Sequence, residues 1–336
     1  MKKNTLIAIA IAILSGIAVY VYQNQNNSSL KIENSDFAIK DTAAITKVFL
    51  ADKQGNTVTL QRTDYNKWLV NEKYPARPDV IENLLEVINR VTVKTPVPKA
   101  AFETVVKRIA GRSTKVEIYL NNEVNPTKTY YVGGSDKDHS GTYMLLENST
   151  VPFLIHMEGF KGVLSPRYVT NENVWRSTKI FDYEPGEIAS IELQNIQNPA
   201  LSFVITDNGD NTHSLFRNNI NTNPLPYDTV VLRQYLALFR KVHFEGFEEV
   251  KSQQFIDSVK SSQPFYQLTV ADKMGKIKTV KAYLKPAKPD ALGSDGEPLT
   301  KDMDRFYAVI NGNEFVVAQY YVFDPIFKDI IAFKPE

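Results

Sequence analysis

One order of predicted strands and helices occurs twice along this chain of 336 residues. In the first half, residues 45–50 alternate between apolar and polar side chains, which is typical of a half-buried strand. In the second half, residues 188–193 and 201–206 show the same alternation. A helix then follows in each half, with apolar residues at i, i+3, i+4 and i+7 on one face: Ile81, Leu84, Leu85 and Ile88, then Leu232, Tyr235, Leu236 and Phe239. The repetition predicts two similar units in tandem.

Both predicted helices begin at an acidic residue that can cap a helix. Asp79 has Glu82 three residues after it, which is the pattern of a capping box, and Asp228 precedes the second helix. After these helices each half contains a short helix and four further strands. We therefore predict an α+β fold of mostly antiparallel sheet with one main helix in each unit, over residues 41–180 and 181–336.

The N-terminal segment predicts a transmembrane helix in front of these units. Residues 6–22 are uncharged, and at 1.5 Å per residue they reach the lower limit for a hydrocarbon core of about 30 Å. Lys2 and Lys3 precede the run, and this excess of positive charge keeps the N terminus in the cytoplasm. We predict a single-pass anchor over residues 1–22 of the cytoplasmic (inner) membrane, a polar tether over residues 23–40, and a globular part on the extracytoplasmic, periplasmic side.

A cleaved signal peptide is the alternative interpretation of the same residues. It also needs a basic start and an apolar run, and Gly16-Ile17-Ala18 has the small-x-small form of a cleavage site. The chain contains no Cys, so a lipoprotein anchor is excluded. Both interpretations export the globular part, and a chain without thiols cannot form wrong disulfides outside the cytoplasm.

The composition excludes several classes of function. A net charge of +1 gives no basic surface of the kind that nucleic acids require, so we predict no nucleic-acid partner. The absence of Cys excludes thiol catalysis and iron–sulfur clusters. No His has a second His at a metal-binding spacing: His139, His156, His213 and His243. Since motifs such as G-x-S-x-G and H-E-x-x-H are also missing, we predict that the protein is not an enzyme and has no catalytic residues and no cofactor.

One segment has the residue spacing of a calcium-binding loop. Its oxygen ligands stand at positions 1, 3, 5 and 12, with a Gly at position 6 for the sharp turn: Asp136, Asp138, Ser140, Glu147 and Gly141. Such a loop lies between two helices, whereas residues 130–132 and 143–145 alternate like strands. We therefore predict a polar hairpin turn and no metal, with Asp136, Asp138, Ser140 and Glu147 as the calcium alternative.

Aromatic residues make up 11% of the chain and are dense near its C-terminal end. Residues 315–327 contain five of them, which we expect to fill a sheet core; a partner-binding surface is the alternative. Residues 286–304 form the longest stretch without a strand or helix pattern. We expect this loop to be mobile, with a binding loop as the alternative.

The residues around the first strand resemble a known protein family. Residues 36–52 read DFAIKDTAAITKVFLAD and are followed by KWLVN at residues 67–71 and by the helix at Asp79. This order resembles a bacterial envelope family named domain of unknown function 4340, over residues 36–165 and by pattern over the second half. The family has no assigned catalytic residue, and its members often accompany ABC-type transport systems akin to gliding-motility components. The resemblance implies an accessory role outside the cytoplasm.

These features together predict a non-enzymatic, membrane-anchored protein that binds a protein partner in the envelope, with an ABC-type complex as one candidate. A protein that binds a small ligand or a glycan in the cleft between the two units is the first alternative, because binding sites favour domain interfaces. An envelope hydrolase is the second alternative. It would require at least two titratable groups in one pocket.

Overall fold

The structure is a computed structural model that describes residues 35–217 and 223–335. The chain separates into two compact units between Ser177 and Thr178, which we call unit 1 and unit 2. The predicted anchor and the tether up to residue 34 lie outside the described residues. Within the described ranges, no helix has the length and the apolar character that a membrane span requires.

Unit 1 contains one antiparallel sheet whose strand order is β4-β3-β2-β1-β6-β7-β8-β9-β5. Alternate side chains of its strands are buried, as the period of two along the sequence predicts. The strand bounds are β1 Ile45–Ala51, β2 Thr57–Asp64, β3 Lys67–Val70, β4 Tyr74–Pro75, β5 Val91–Pro96, β6 Thr114–Leu120, β7 Lys128–Ser135, β8 Thr142–Leu146 and β9 Phe153–Met157.

The segment before β1 already belongs to the core of unit 1. Phe37 and Ile39 are buried among the core side chains, although the predicted tether extends to residue 40. Their spacing of two residues places both side chains on the same side of an extended segment. Unit 1 therefore begins before residue 41.

Helix α1 (Pro78–Arg90) covers the core face of the sheet in unit 1. It buries Ile81, Leu84 and Ile88, as the periodicity predicts. The predicted cap is wrong, because Arg77 occupies the N-cap position without a side-chain bond to the helix. Asp79 instead pairs with Arg77, with 2.6 Å between Nη2 and Oδ2.

Helix α2 (Lys99–Gly111) lies on the opposite face of that sheet. Val105 and Ile109 of α2 pack with Tyr131 and Tyr143 of the sheet. With 13 residues, α2 is as long as α1, so the prediction of one main helix and a short second helix is wrong for this unit. Unit 1 also contains the one-turn helix α3 (Glu172–Trp175).

Unit 2 contains an antiparallel sheet whose strand order is β13-β12-β11-β16-β17-β18-β19-β15, and a separate pair of strands, β10 and β14. The bounds of its strands are β10 Lys179–Phe181, β11 Ile188–Asn195, β12 Phe203–Asp207, β13 His213–Arg217, β14 Val242–His243, β15 Gly246–Phe247, β16 Tyr266–Asp272, β17 Ile277–Pro286, β18 Lys301–Ile310 and β19 Glu314–Gln319. Its helices are α4 Thr229–Ala237, α5 Gln253–Ser261 and α6 Tyr320–Phe323.

Helix α4 begins at the cap that the sequence predicts. The Asp228 carboxylate accepts hydrogen bonds from the amides of Val230 and Val231, at 2.7 and 3.1 Å. These are two of the N-terminal amides that have no partner within the helix itself. The buried face of the helix carries Leu232 and Leu236.

Aromatic rings fill much of the core of unit 2. Tyr235 and Phe333 meet edge to face at 5.2 Å between their centroids, and Phe306 and Phe323 do so at 5.3 Å. Within residues 315–327, Phe315, Phe323 and Phe327 are buried, as expected, whereas Tyr321 is exposed. Short 3-10 helices complete the two units at Thr42–Ala44, Ser165–Arg167, Pro185–Glu187, Pro199–Leu201, Leu238–Arg240 and Ile330–Phe333. The protein is therefore a sheet-rich α+β protein with mostly antiparallel strands, as predicted.

Candidate binding site

The β17–β18 hairpin of unit 2 is longer than the sequence predicts. Its pairing continues from Leu284 opposite Phe306 to Pro286 opposite Lys301. A further bridge joins Leu292 to Pro298 inside the remaining loop. The segment without regular strand pairing is therefore shorter than the predicted 286–304 loop.

A pocket of about 340 Å³ lies at the base of this hairpin. Its lining comes from separate segments of unit 2: Gln197 after β11, Phe265 before β16, Leu284 on β17, Lys301, Asp302 and Met303 on β18, and Tyr320 and Asp324 in and after α6. These segments meet because strand ends of an antiparallel sheet lie side by side.

The walls of the pocket are half apolar and half polar, and its apolar side chains are only partly covered. Leu284 is 49% exposed and Met303 is 58% exposed. The rings of Phe265 and Tyr320 lie 6.1 Å apart between centroids, and Tyr320 also contacts Phe306 of the core at 5.0 Å. The large apolar side chains of Leu284 and Met303 are therefore in contact with water, while the aromatic rings of the same pocket pack against the core.

An ion pair lies between the strands of the hairpin at this pocket. Lys285 Nζ donates to Asp302 Oδ2 at 2.7 Å, and the two side chains are only 16% and 11% exposed. The other oxygen of Asp302 accepts from the amides of Asp304 and Arg305, at 3.0 Å each. Burial alone would raise the pKa of Asp302, but these donors outweigh it and hold the pKa below its usual range. Asp302 is therefore a fixed anion.

The Tyr320 hydroxyl adds a neutral polar group. Burial, and then the nearby Asp324 and Asp302 carboxylates, raise the pKa of Tyr320 above its ordinary value. The phenol therefore stays protonated and can donate a hydrogen bond. Lys301 and Asp324 supply one exposed charge of each sign at the pocket. This arrangement can bind an apolar side chain and orient a polar group attached to it.

The segment with the spacing of a calcium loop is a hairpin turn between β7 and β8 of unit 1, as its strand-like flanks predict. Asp136 Oδ1 accepts from the amides of Ser140 and Gly141, at 2.7 and 3.1 Å, and Asp136 Oδ2 accepts from Ser140 Oγ at 2.6 Å. Gly141 is required there, because a Cβ atom would lie 2.8 Å from the Ile155 carbonyl oxygen. The Asp136 carboxylate thus holds the turn closed through hydrogen bonds to residues of the same turn.

Of the other calcium candidates, Ser140 bonds to Asp136, whereas Glu147 and Asp138 have no bond to it among those of the described turn. Glu147 directly follows β8 and its amide donates to Thr129 O, near the start of β7. A strand rise of about 3.3 Å per residue puts Glu147 roughly 16 Å from Thr142, at the turn end of β8. Asp138 is exposed at the tip of the turn. Among residues 35–217 and 223–335, no group of three or more His, Asp or Glu side chains is arranged to hold a metal ion.

The four His residues remain apart in the structure. His139 lies in the β7–β8 turn, where its Nδ1 is 3.1 Å from Ser135 Oγ. His156 is in β9, His213 in β13 and His243 in β14. The structure thus places each of them on a different element.

Sequence analysis did not identify the pocket residues as a set. They come from segments far apart in the chain, and their types are common. Residues 286–304 and 315–327, which supply five of the pocket residues, were considered only as the alternatives of a binding loop and a partner-binding surface. A further signal is the position of Leu284 and Met303, two large apolar residues near the ends of the polar, Pro-containing segment between β17 and β18.

Comparison with protein families gives one match. The family model described as "Domain of unknown function (DUF4340)" matches residues 68–264, which is more than half of the chain. The match starts later than the resemblance over residues 36–165 and continues into unit 2. No curated protein and no solved structure matches the chain.

Proposed function

The chain belongs to the family domain of unknown function 4340, and on this premise we propose that it is a membrane-anchored, extracytoplasmic binding protein, an accessory subunit of an envelope complex. Its binding site is the pocket at the base of the β17–β18 hairpin. The partner is a polypeptide that inserts an apolar side chain there. An ABC-type transport complex is the first class of partner to test.

The observation that carries this proposal is the exposure of Leu284 and Met303 on the two strands of one hairpin. Each Å² of apolar surface that leaves water contributes about 25 cal/mol, so a partner side chain against Leu284, Met303 and Tyr320 gains from burial. Protein interfaces concentrate their binding energy in such partly enclosed apolar anchors. The exposed charges of Lys301 and Asp324 supply the polar rim that gives orientation.

The electrostatics of the pocket favour binding over acid–base catalysis. A general base works best when its pKa lies near the working pH. The pKa of Asp302 is held below its usual range by Lys285 and by backbone amides, and Tyr320 has a raised pKa. Both groups therefore keep their protonation states near neutral pH, which suits a fixed recognition surface.

The anchor and the tandem arrangement are part of the proposal. Residues 6–22 are long and apolar enough for one membrane span, and Lys2 and Lys3 favour a cytoplasmic N terminus. The strand orders support an internal duplication, since β2-β1-β6-β7-β8-β9 in unit 1 corresponds to β12-β11-β16-β17-β18-β19 in unit 2. In this view the two units are similar in plan, and unit 2 acquired the binding hairpin.

The test is a pair of matched substitutions, Met303→Glu and Met274→Glu, in the full-length protein in its own host. Met274 is almost fully exposed in the β16–β17 turn, at the other end of β17 from the pocket. A photo-crosslinking amino acid at position 284 is expected to join one defined partner, and Met303→Glu is expected to reduce that product at least tenfold, since it buries a charge in the contact. Met274→Glu should leave the product unchanged. Equal crosslinking in both variants would contradict the proposal.

A further inference from the structure

Helix α4 of unit 2 and the residue after it expose two large apolar side chains beside polar ones, in addition to the apolar core face of the helix. Leu232, Tyr235 and Leu236 point into the core. On the other side, Val230 is 60% exposed and Leu238, which directly follows the helix, is 37% exposed. Positions 230, 234 and 238 form one stripe because they are four residues apart; Gln234 is the polar residue between the two. Thr229, Arg233 and Gln234 are also exposed there, so the outer face is mixed, with Val230 and Leu238 as its apolar part.

The corresponding helix of unit 1 does not share this property. The outer face of α1 exposes a set of charged and polar side chains: Asp79, Glu82, Asn83, Glu86 and Arg90. Both helices cover the core face of an antiparallel sheet, so the difference is confined to the side that faces away from the core. The outer face of α4 therefore differs from that of α1 in the two exposed apolar side chains of Val230 and Leu238.

The exposed apolar surface continues beyond the helix. A groove of about 260 Å³ separates α4 from the C-terminal segment and is lined by Val231, Leu238, Pro325 and Ala332 among others. Next to Ala332, Ile331 is 55% exposed. We call the three exposed side chains at and beside this groove, Val230, Leu238 and Ile331, the apolar patch.

Exposed cations accompany the apolar patch. Arg233 is one helical turn from Val230 on α4, Lys328 lines the groove, and Lys334 follows Ile331 in the C-terminal segment. Large apolar side chains with lysine and arginine around them are the composition of surfaces that lie in the interface of an anionic bilayer. There the apolar groups enter the boundary of the acyl chains, and the cations meet lipid phosphates.

We propose that the apolar patch contacts the surface of the membrane, with anionic lipid headgroups as the partners of Arg233, Lys328 and Lys334. This inference rests on the proposed membrane anchor. A tether over residues 23–34 spans at most about 40 Å, so an anchored chain meets the bilayer at a high effective concentration and a weak contact suffices. The contact orients unit 2 against the membrane.

The absence of Cys from the chain allows a direct test with single-cysteine variants of the full-length protein. Leu238→Cys and Ile331→Cys probe the apolar patch, and Met274→Cys, in the same unit, is the matched control. Each variant is labelled with a fluorophore and reconstituted in vesicles that contain brominated lipids, either phosphatidylcholine alone or a mixture with phosphatidylglycerol. In the anionic vesicles we expect quenching at positions 238 and 331 to be at least about twofold stronger than at position 274.

The contribution of the cations is tested separately with charge-reversal variants. Lys328→Glu is expected to lower the quenching at position 238 towards the value in neutral vesicles, because it places a negative charge against the phosphates. Lys281→Glu, at an exposed position of β17, should leave the quenching unchanged. High salt should act like Lys328→Glu, since it screens the same attraction.

The outcomes separate this inference from the anchor on which it rests. Protein that leaves the vesicles in a carbonate wash would overturn both. Protein that stays in the membrane, with equal quenching at positions 238 and 274, would overturn the patch contact alone. A position 238 that is shielded from aqueous iodide but is not quenched by brominated lipid would show that a protein or a second copy of the chain covers it, and would also overturn the proposal.

Discussion

The β7–β8 hairpin of unit 1 and the β17–β18 hairpin of unit 2 hold the same place in the strand order of their sheets, yet they end in different ways. In unit 1, the turn is short and Asp136 binds it to Ser140 and Gly141. In unit 2, the strands run on to Pro286 and Lys301 and leave Leu284 and Met303 partly exposed. The comparison shows that the sheet needs only a closed turn at this position, so the extension in unit 2 is available for binding.

The first helices of the two units lead to the same conclusion. Each buries one apolar face on its sheet, but α1 has charges on its outer face whereas α4 has Val230 and Leu238 there. The longer hairpin and the exposed apolar side chains on the outer face of the helix both occur in unit 2. Unit 1 is thus the better reference for what the fold requires.

The largest effect is expected from removing the cation inside the long hairpin. Lys285→Met leaves the Asp302 carboxylate poorly hydrated and without its ion-pair partner, which should lower the free energy of unfolding of unit 2 by about 3 kcal/mol. Denaturant unfolding followed by hydrogen exchange of β17 and β18 measures this. Lys281→Met, on an exposed position of the same strand, should change it by less than about 0.5 kcal/mol. If Lys285→Met and Lys281→Met changed the free energy of unfolding equally, the ion pair between Lys285 and Asp302 would not be a specific stabilising contact of this hairpin.

A smaller effect is expected from the turn that closes the short hairpin. Asp136→Asn weakens three hydrogen bonds to Ser140 and Gly141 and should destabilise unit 1 by about 1 kcal/mol at pH 7, since the turn is open to water. Hydrogen exchange of β7 and β8 is the measurement, and Asp138→Asn at the exposed tip is the control.

The pH dependence of the same variant follows from the direction of the pKa shift. Burial would raise the pKa of Asp136, but the bonds from Ser140 and Gly141 outweigh it and lower it. The stabilisation is therefore present above the unfolded-state value of about 3.9 and is lost as the pH falls through the lower folded-state value. The difference between Asp136→Asn and the unchanged protein should shrink in acid. A gain of stability with calcium that depends on Asp138 would instead revive the metal-loop interpretation.

The last comparison, between the two helix N-termini, includes the smallest expected effect, that of Asp79→Ala. Asp228→Ala removes a cap that accepts from two amides of α4 and should cost unit 2 about 1 kcal/mol. Asp79→Ala removes only an exposed pair with Arg77 and should cost unit 1 about 0.3 kcal/mol. Hydrogen exchange, which reports on each unit separately, measures both changes in the free energy of unfolding. If Asp79→Ala lowered the free energy of unfolding as much as Asp228→Ala does, Asp79 would also act as a helix cap, and the contrast between α1 and α4 would be wrong.

Local patterns predicted much of the fold. The alternation at residues 45–50 and 188–193 identified β1 and β11, and the apolar spacing identified the buried faces of α1 and α4. The Asp228 cap was also predicted, because a cap depends on a few neighbouring residues. Asp79 misled the same reasoning, since Arg77 two residues before it offers a stronger partner for the carboxylate than the helix amides do.

Features that depend on distant parts of the chain were not predicted. The β5 strand was missed because it is specified by pairing with β9 at the edge of the sheet, and the length of α2 was underestimated. The extension of β17 and β18 was missed because their ends are rich in charge and proline. The pocket itself could not be predicted from the sequence, since Phe265, Met303 and Tyr320 meet only after the four strands β16, β17, β18 and β19 have paired.

The strand orders also set how each unit must assemble. Most neighbouring strands are consecutive in the chain, so these hairpins can form within microseconds. The pairing of β1 with β6 and that of β11 with β16 instead join distant segments across the intervening helices. The edge pairings of β5 with β9 and of β15 with β19 also join distant segments. Closing such long loops is entropically slow, so these pairings, and not the hairpins, limit the rate at which each unit folds. A change in a pairing that forms in the rate-limiting step would slow folding, whereas a change in a contact made only after that step would mainly hasten unfolding.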